Sequence, residues 1–302
     1  MLALSALASA AIITGCGSAA VGASKAQSGK INAVGAESQY ANVISQIGGR
    51  YVQVGAIMSN PNTDPHTFEA SPSVAEAVSA AKLIVQNGLG YDSFMSHLEA
   101  ASPSSTRKVI VAQQILDLPN TTRNPHLWYK PATMPAVAAA VSHALARFQP
   151  AHAAYFTANL RRFDNSLKPW LAAINSFANR YPHTPVATTE PVADYMLQAA
   201  RTVNRTPWQL QADIMNGVDP APEDITVQSD LFKYHKVKVF LYNRQVTDPT
   251  TETFLAQAEA AHVPVVGVYE TMPLGYNYQH WMLAEVRALR NAVAHGISTR
   301  TL

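Results

Sequence analysis

Short apolar runs alternate along the chain with longer stretches whose apolar residues recur at helical spacing. INAVG (31–35), YVQVGAI (51–57), KLIVQNG (82–88) and RKVIVA (107–112) have the near-continuous apolar character of buried strands. Between them, Ser38–Gly48 and Ser71–Ala81 read as helices, the second with Ser71 as N-cap and Pro72 in the first turn. The same alternation returns after residue 183. PVATT (185–189), VKVFLY (237–242) and VPVVGV (263–268) read as strands, with helices at 191–200, 251–261 and roughly 277–294. Strand followed by helix, repeated, predicts an α/β fold of two lobes, each a mostly parallel sheet flanked by helices.

A different pattern separates the two halves. In residues 150–182, Phe156, Leu160, Phe163, Leu167, Trp170, Ile174 and Phe177 recur at steps of four and three, which places one apolar stripe along a long helix. At 1.5 Å per residue such a helix runs about 40 Å, enough to pass along both lobes. Pro169 inside it is expected to kink or break it, and two shorter helices meeting there are the alternative. The expected organisation is residues 1–16 as leader, 17–30 as tether, 31–149 as first lobe, 150–182 as bridging helix and 183–302 as second lobe.

Composition narrows the function. Of 302 residues, 48% are hydrophobic and 14% charged, with a formal net charge of +2, so nothing advertises a nucleic-acid face or a disordered chain. Residues 1–15, MLALSALASAAIITG, are apolar or small, too short for a comfortable membrane span of about 20 residues and closer to a signal-peptide core. Ile13-Thr14-Gly15-Cys16 fits a bacterial lipobox, with Cys16 as the lipidated residue, although no Lys or Arg precedes Lys25. Cys16 is the only cysteine, so disulfides play no part in the fold. The expectation is an extracytoplasmic, membrane-anchored, monomeric protein.

Two histidines share an unusual setting: DPHTFEASP (64–72) and NPHLWYKP (124–131) each place a histidine directly after proline and beside an aromatic residue. His66 follows strand 51–57 and His126 follows strand 107–112, where open parallel sheets gather ligands beyond the carboxyl ends of their strands. In the second half, Glu190 ends PVATTE, with Pro191 opening the next helix, and Glu270 ends VPVVGVYE. Two imidazoles facing two carboxylates would neutralise a dication, and the adjoining prolines restrict where the histidines point. Metal would favour approach of the lobes, because the carboxylates repel each other without it. Tyr91, Trp128, Tyr129, Tyr269 and Tyr276 are read as walls of such a site, and His183 and His280 as reserve ligands.

With DPHTFEASPSVAEAVSAAKLIVQNGLGYD (64–92), NPHLWYKP, the rod helix, TTEPVADYM (188–196) and VYETM (268–272), the chain resembles the zinc- and manganese-binding lipoproteins of bacterial ABC importers over about residues 31–295. The resemblance implies two α/β lobes bridged by a rigid helix. It also implies a metal cargo between them, held at the positions of His66, His126, Glu190 and Glu270, and delivery to an ABC permease. Zinc members of the family carry a third histidine where this chain has Glu190; manganese members end the set with an aspartate where this chain has Glu270. The carboxylates suit harder Mn²⁺, yet the Irving–Williams order gives Zn²⁺ the tighter binding, so either cargo remains open. A metallohydrolase using the same His/Glu set, and an adhesin with a structural metal, are the competing functions; no HExxH or GxSxG motif supports the first.

Overall fold

The computed structural model describes residues 29–62 and 68–302; the leader, Cys16 and His66 lie outside the described residues. In the first lobe β1 (Ile31–Glu37), α1 (Ser38–Gly48), β2 (Val52–Met58), α2 (Pro72–Ala80), β3 (Leu83–Gln86), α3 (Ser93–Ala101), β4 (Lys108–Val111), the short α4 (Ala112–Ile115) and α5 (Thr133–Phe148) follow in order. The sheet order is β2-β1-β3-β4 and every pairing is parallel. β1 and β3 are buried along nearly their whole length, which is why they read as unbroken apolar runs.

The bridging helix α6 (Ala153–Arg180) runs unbroken through Pro169, preceded by a 3₁₀ turn at Pro150–His152. The expected break is absent: Pro169 lies on the solvent side, between the buried Leu167 and Trp170. Phe156, Phe163, Leu167, Trp170, Ile174 and Phe177 form the buried stripe, with Leu160 half-buried against it. Burying each such side chain contributes about 1.5–3 kcal/mol relative to exposure. α6 packs on α1 and α5 of the first lobe and, on the other side, on α7 (Asp194–Ala199) and α11 (Tyr278–His295) of the second. One continuous apolar cluster therefore reaches from β1 through α6 to α11.

The second lobe repeats the first lobe's topology. β5 (Pro185–Thr188), β6 (Val203–Asn204), β7 (Val239–Asn243) and β8 (Val265–Val268) form an all-parallel sheet in the order β6-β5-β7-β8. α8 (Trp208–Met215), α9 (Pro222–Lys233) and α10 (Pro249–Ala260) complete the lobe with α7 and α11. The helix expected from residue 191 begins only at Asp194, because the Asp194 amide donates back to the Pro191 carbonyl in a turn. That turn leaves Glu190 on the loop at the strand end instead of at a helix start. Among the described residues no helix is long and apolar enough to cross a membrane.

Candidate metal centre

The strand order dictates what meets at the cleft. β7 lies between β5 and β8, so its last residue, Asn243, stands between Glu190, two residues beyond β5, and Glu270, two beyond β8. The Asn243 amide Nδ2 donates to Glu190 Oε1 at 2.9 Å and to Glu270 Oε1 at 2.7 Å. Its Oδ1 accepts from the Gln245 backbone N–H at 3.0 Å, and its own backbone N–H donates to Thr189 Oγ1 at 3.0 Å. Gln245 Oε1 in turn accepts from the backbone N–H groups of Glu270 and Thr271, each at 2.7 Å.

The first lobe supplies His126 by a similar chain of restraints. Asn124 Oδ1 accepts from the His126 backbone N–H at 2.9 Å and faces Nδ1 of the ring at 2.8 Å. Asn124 Nδ2 donates to the Pro191 carbonyl at 2.7 Å, which couples the histidine loop to the loop bearing Glu190. Asn87, just past β3, donates to the Pro125 carbonyl at 2.8 Å, and Tyr40 donates to Asn87 Oδ1 at 2.7 Å. Behind Asn87, the Asp92 carboxylate accepts from the N–H groups of Asn87 (2.5 Å) and Gly88 (2.9 Å). Burial first, and Asp92 beside it second, push the Glu37 carboxyl well above the ordinary range, so Glu37 keeps its proton next to Asp92.

The two halves meet at Glu270. His126 Nε2 lies 3.2 Å from Glu270 Oε2, Tyr91 Oη donates to the same oxygen at 3.0 Å, and Gln39 Nε2 donates to the Glu270 carbonyl at 3.1 Å. Burial and the adjacent Glu270 raise the Tyr91 phenol well above its usual value, so it remains a donor. Tyr91 and Trp128 contact His126 edge-on, at ring separations of 5.8 and 5.3 Å. His126 and Glu270 have no solvent exposure and Glu190 has 2%.

Of the expected ligands, His126, Glu190 and Glu270 thus share one buried network, while His66 falls outside the described residues. Cys16 also falls outside them. The reserve histidines do not enter: His183 and His280 are exposed. Among the described residues no three His, Cys, Asp or Glu side chains are already gathered in metal-holding geometry. Asn243 occupies the space between the two carboxylates. Tyr129 and Tyr269 bond elsewhere, Tyr129 Oη donating to the Tyr269 carbonyl at 3.0 Å. Asn243, Gln245, Asn124 and the Glu37–Asp92 pair were not singled out from the sequence, although Asn243 and Glu37 obey the strand-end rule that found Glu190 and Glu270.

Two α/β lobes of one topology, a single helix packed along both and a buried His/Glu cluster in the cleft are the architecture of a two-lobed solute-binding protein. A family model described as the periplasmic component A of a zinc-uptake complex matches residues 34–292, and the chain belongs to that family. Its members are metal-binding solute-binding proteins and not enzymes, so the metallohydrolase alternative has no support. A putative metal-binding protein of Treponema pallidum (strain Nichols) is 22% identical over 274 residues, 83% of this chain and 84% of that one. The manganese-binding lipoprotein MntA of Bacillus subtilis (strain 168) is 28% identical over 165 residues, 52% of each chain. In fold, the chain is similar to the periplasmic zinc binding protein TroA from Treponema pallidum, with a TM-score of 0.74 at 18% identity, covering 89% of this chain and 100% of that one. A ZnuA crystal structure gives 0.70 at 20% identity, over 88% of this chain and 100% of that one.

Proposed function

We propose that this protein captures one divalent transition-metal ion, Mn²⁺ or Zn²⁺, outside the cytoplasm and passes it to the permease of an ABC importer. The ligands are His66, His126, Glu190 and Glu270, and the metal is cargo. The observation that supports this most is the meeting of His126 and Glu270 from opposite lobes at 3.2 Å, fully buried, with Glu190 joined to them through Asn243. Two neutral imidazoles and two carboxylates balance a +2 charge, and both candidate ions accept that donor set. Lipidation at Cys16 tethers a monomer to the outer face of the membrane, with residues 17–30 as the tether and 31–149 and 183–302 as the lobes. The descriptions of MntA as a manganese-binding lipoprotein and of TroA as a zinc-binding protein accord with this reading.

The test is metal content after growth under manganese or zinc limitation, followed by chelator competition on the wild type, His66→Ala and His126→Ala. Stoichiometric metal in the wild type and sharply weaker binding in both variants are expected. Unchanged affinity in both variants would reject the ligand set.

A further inference from the structure

All four strands of the first lobe run the same way, so the residues that enter them gather at one end of the sheet, opposite the metal cleft. Lys30 precedes β1, Arg50 lies in the turn before β2, Lys82 precedes β3, and Arg107 and Lys108 open β4. Arg147, in the last turn of α5, lines the same surface pocket as Arg107 and Lys108. Gln149, just beyond it, donates to the Gly29 carbonyl at 3.2 Å. Six of the eight Lys and Arg residues in positions 29–149 thus stand at one end, all exposed except the half-buried Arg107. Among the described residues none of the six closes an ion pair. Glu99 of α3 feels the charge of Arg107, whereas Glu37 and Asp92 lie at the cleft end.

Cations where helices end are ordinary, because they complement the helix dipole, and the second lobe has its own in Arg201, Lys236 and Lys238. What distinguishes the first lobe is the exit of the chain. Gly29 leaves at its basic end, while the second lobe's cations lie past the other end of α6, about 40 Å away. From Cys16 to Gly29 the chain spans at most about 45 Å even when fully extended. A lipid on Cys16 therefore keeps this end within that distance of the bilayer.

We propose that the strand-entry end of the first lobe is a membrane-contact face, resting through these six cations on the anionic lipid headgroups around the anchor. This goes beyond metal capture and rests only on the anchoring at Cys16. Each Lys or Arg close to such a surface raises its occupancy roughly fivefold, and the attraction fades within a Debye length of about 8–10 Å. Three cations in contact are thus enough to favour this orientation by roughly two orders of magnitude. The cleft end then faces away from the bilayer, and salt governs how firmly the lobe is held.

Cys16 is the only cysteine and has no free thiol once acylated, so one engineered cysteine takes one dye. Ser105, in the turn before β4, marks the basic end; Ala260, the last residue of α10, marks the second lobe, and both are exposed. Lipidated Ser105→Cys and Ala260→Cys proteins are placed on phosphatidylcholine vesicles containing phosphatidylglycerol, and energy transfer to a dye-labelled lipid is measured. In low salt the Ser105 position is expected to give at least about twofold more transfer than Ala260. That excess falls sharply at about 1 M salt, on phosphatidylcholine alone, and when Lys82→Glu, Lys108→Glu and Arg147→Glu are combined. An excess that ignores salt, lipid charge and the triple variant reflects the tether alone and overturns the proposal, as does equal transfer from both positions. Should the triple variant fail to fold, the salt and lipid series decides. A wild type that takes up dye at Cys16, or leaves the vesicles in high salt, has no anchor and sinks the anchoring reading. An anchored protein without the charge-dependent excess sinks only this inference.

Discussion

His126 Nε2 and Glu270 Oε2 stand 3.2 Å apart across the cleft, while Nδ1 of the same ring faces Asn124 Oδ1 at 2.8 Å. Asn124 Oδ1 is an amide oxygen and only accepts, so Nδ1 carries a proton, and a second proton shared between Nε2 and Glu270 Oε2 closes the other contact. A cation that bonds Nε2 must displace that proton. Calorimetry of metal binding in two buffers of different ionisation enthalpy is therefore expected to show proton release into solution. Identical heats in both buffers would contradict the hydrogen-bond assignment at His126.

Asn124 performs two tasks at once. It orients the His126 ring, and through Pro191 it ties that ring to the loop of Glu190. Asn124→Ala removes both ties without touching a ligand, and about 10- to 100-fold weaker metal binding is expected. Asn124→Asp keeps an acceptor on Nδ1 and is expected to recover most of the loss. Equal affinities for wild type and Asn124→Ala in a chelator competition would show that the ring needs no such support.

Glu285, on α11, gives stability a defined pH dependence. Burial holds its carboxyl up at about 8, against 4.5 in the ordinary state, despite hydrogen bonds from Tyr129 Oη and Trp281 Nε1 to its Oε1. Below the unfolded value both states are protonated and the residue contributes nothing to pH dependence. As pH rises toward 8, the unfolded chain releases the proton and the folded chain keeps it, so stability falls by about 1.4 kcal/mol per pH unit and then levels off. Glu285→Gln retains the Oε1 acceptor and removes this term. Urea unfolding is expected to show the variant more stable than wild type by a few kcal/mol at about pH 9 and nearly equal at about pH 5. A gain independent of pH would mean that Glu285 ionises freely in the fold.

How far the sequence reached depended on where each strand was taken to end. Strands buried on both faces announce themselves as apolar runs, so β1–β5, β7 and β8 could be read in advance, whereas the two-residue β6, only half-buried, could not. An Ala-rich helix such as α5 (TMPAVAAAVSHALARF) has too little contrast between its faces to do so. The run INAVG stops at Gly35, whereas β1 continues to Glu37, and the run VKVFLY stops at Tyr242, one residue before Asn243. Those shortfalls hid two residues at strand ends, where function gathers. Glu190 and Glu270 were visible because a carboxylate after an apolar run stands out. Asn124, in a loop, and Asn243, the last residue of β7, are neutral amides that do not, and only their partners reveal them.

The unbroken α6 makes a last prediction about how the lobes unfold. Trp170, one residue past Pro169, is fully buried and meets Tyr278 of α11 edge-on at 5.8 Å. Its indole nitrogen has no hydrogen-bond partner among the described residues. Trp170→Ala leaves a large cavity and is expected to destabilise the fold by about 3–5 kcal/mol. Trp170→Phe also removes a buried N–H that lacks a partner, and relief of that penalty, about 1–3 kcal/mol, offsets much of the lost contact. The Phe variant should therefore lie close to wild type in urea unfolding. Because α6 packs on helices of both lobes within one apolar cluster, all three proteins are expected to unfold in a single transition, whether followed by tryptophan fluorescence or by circular dichroism. Two separated transitions in the wild type would show that the helix links two independent cores instead of threading one.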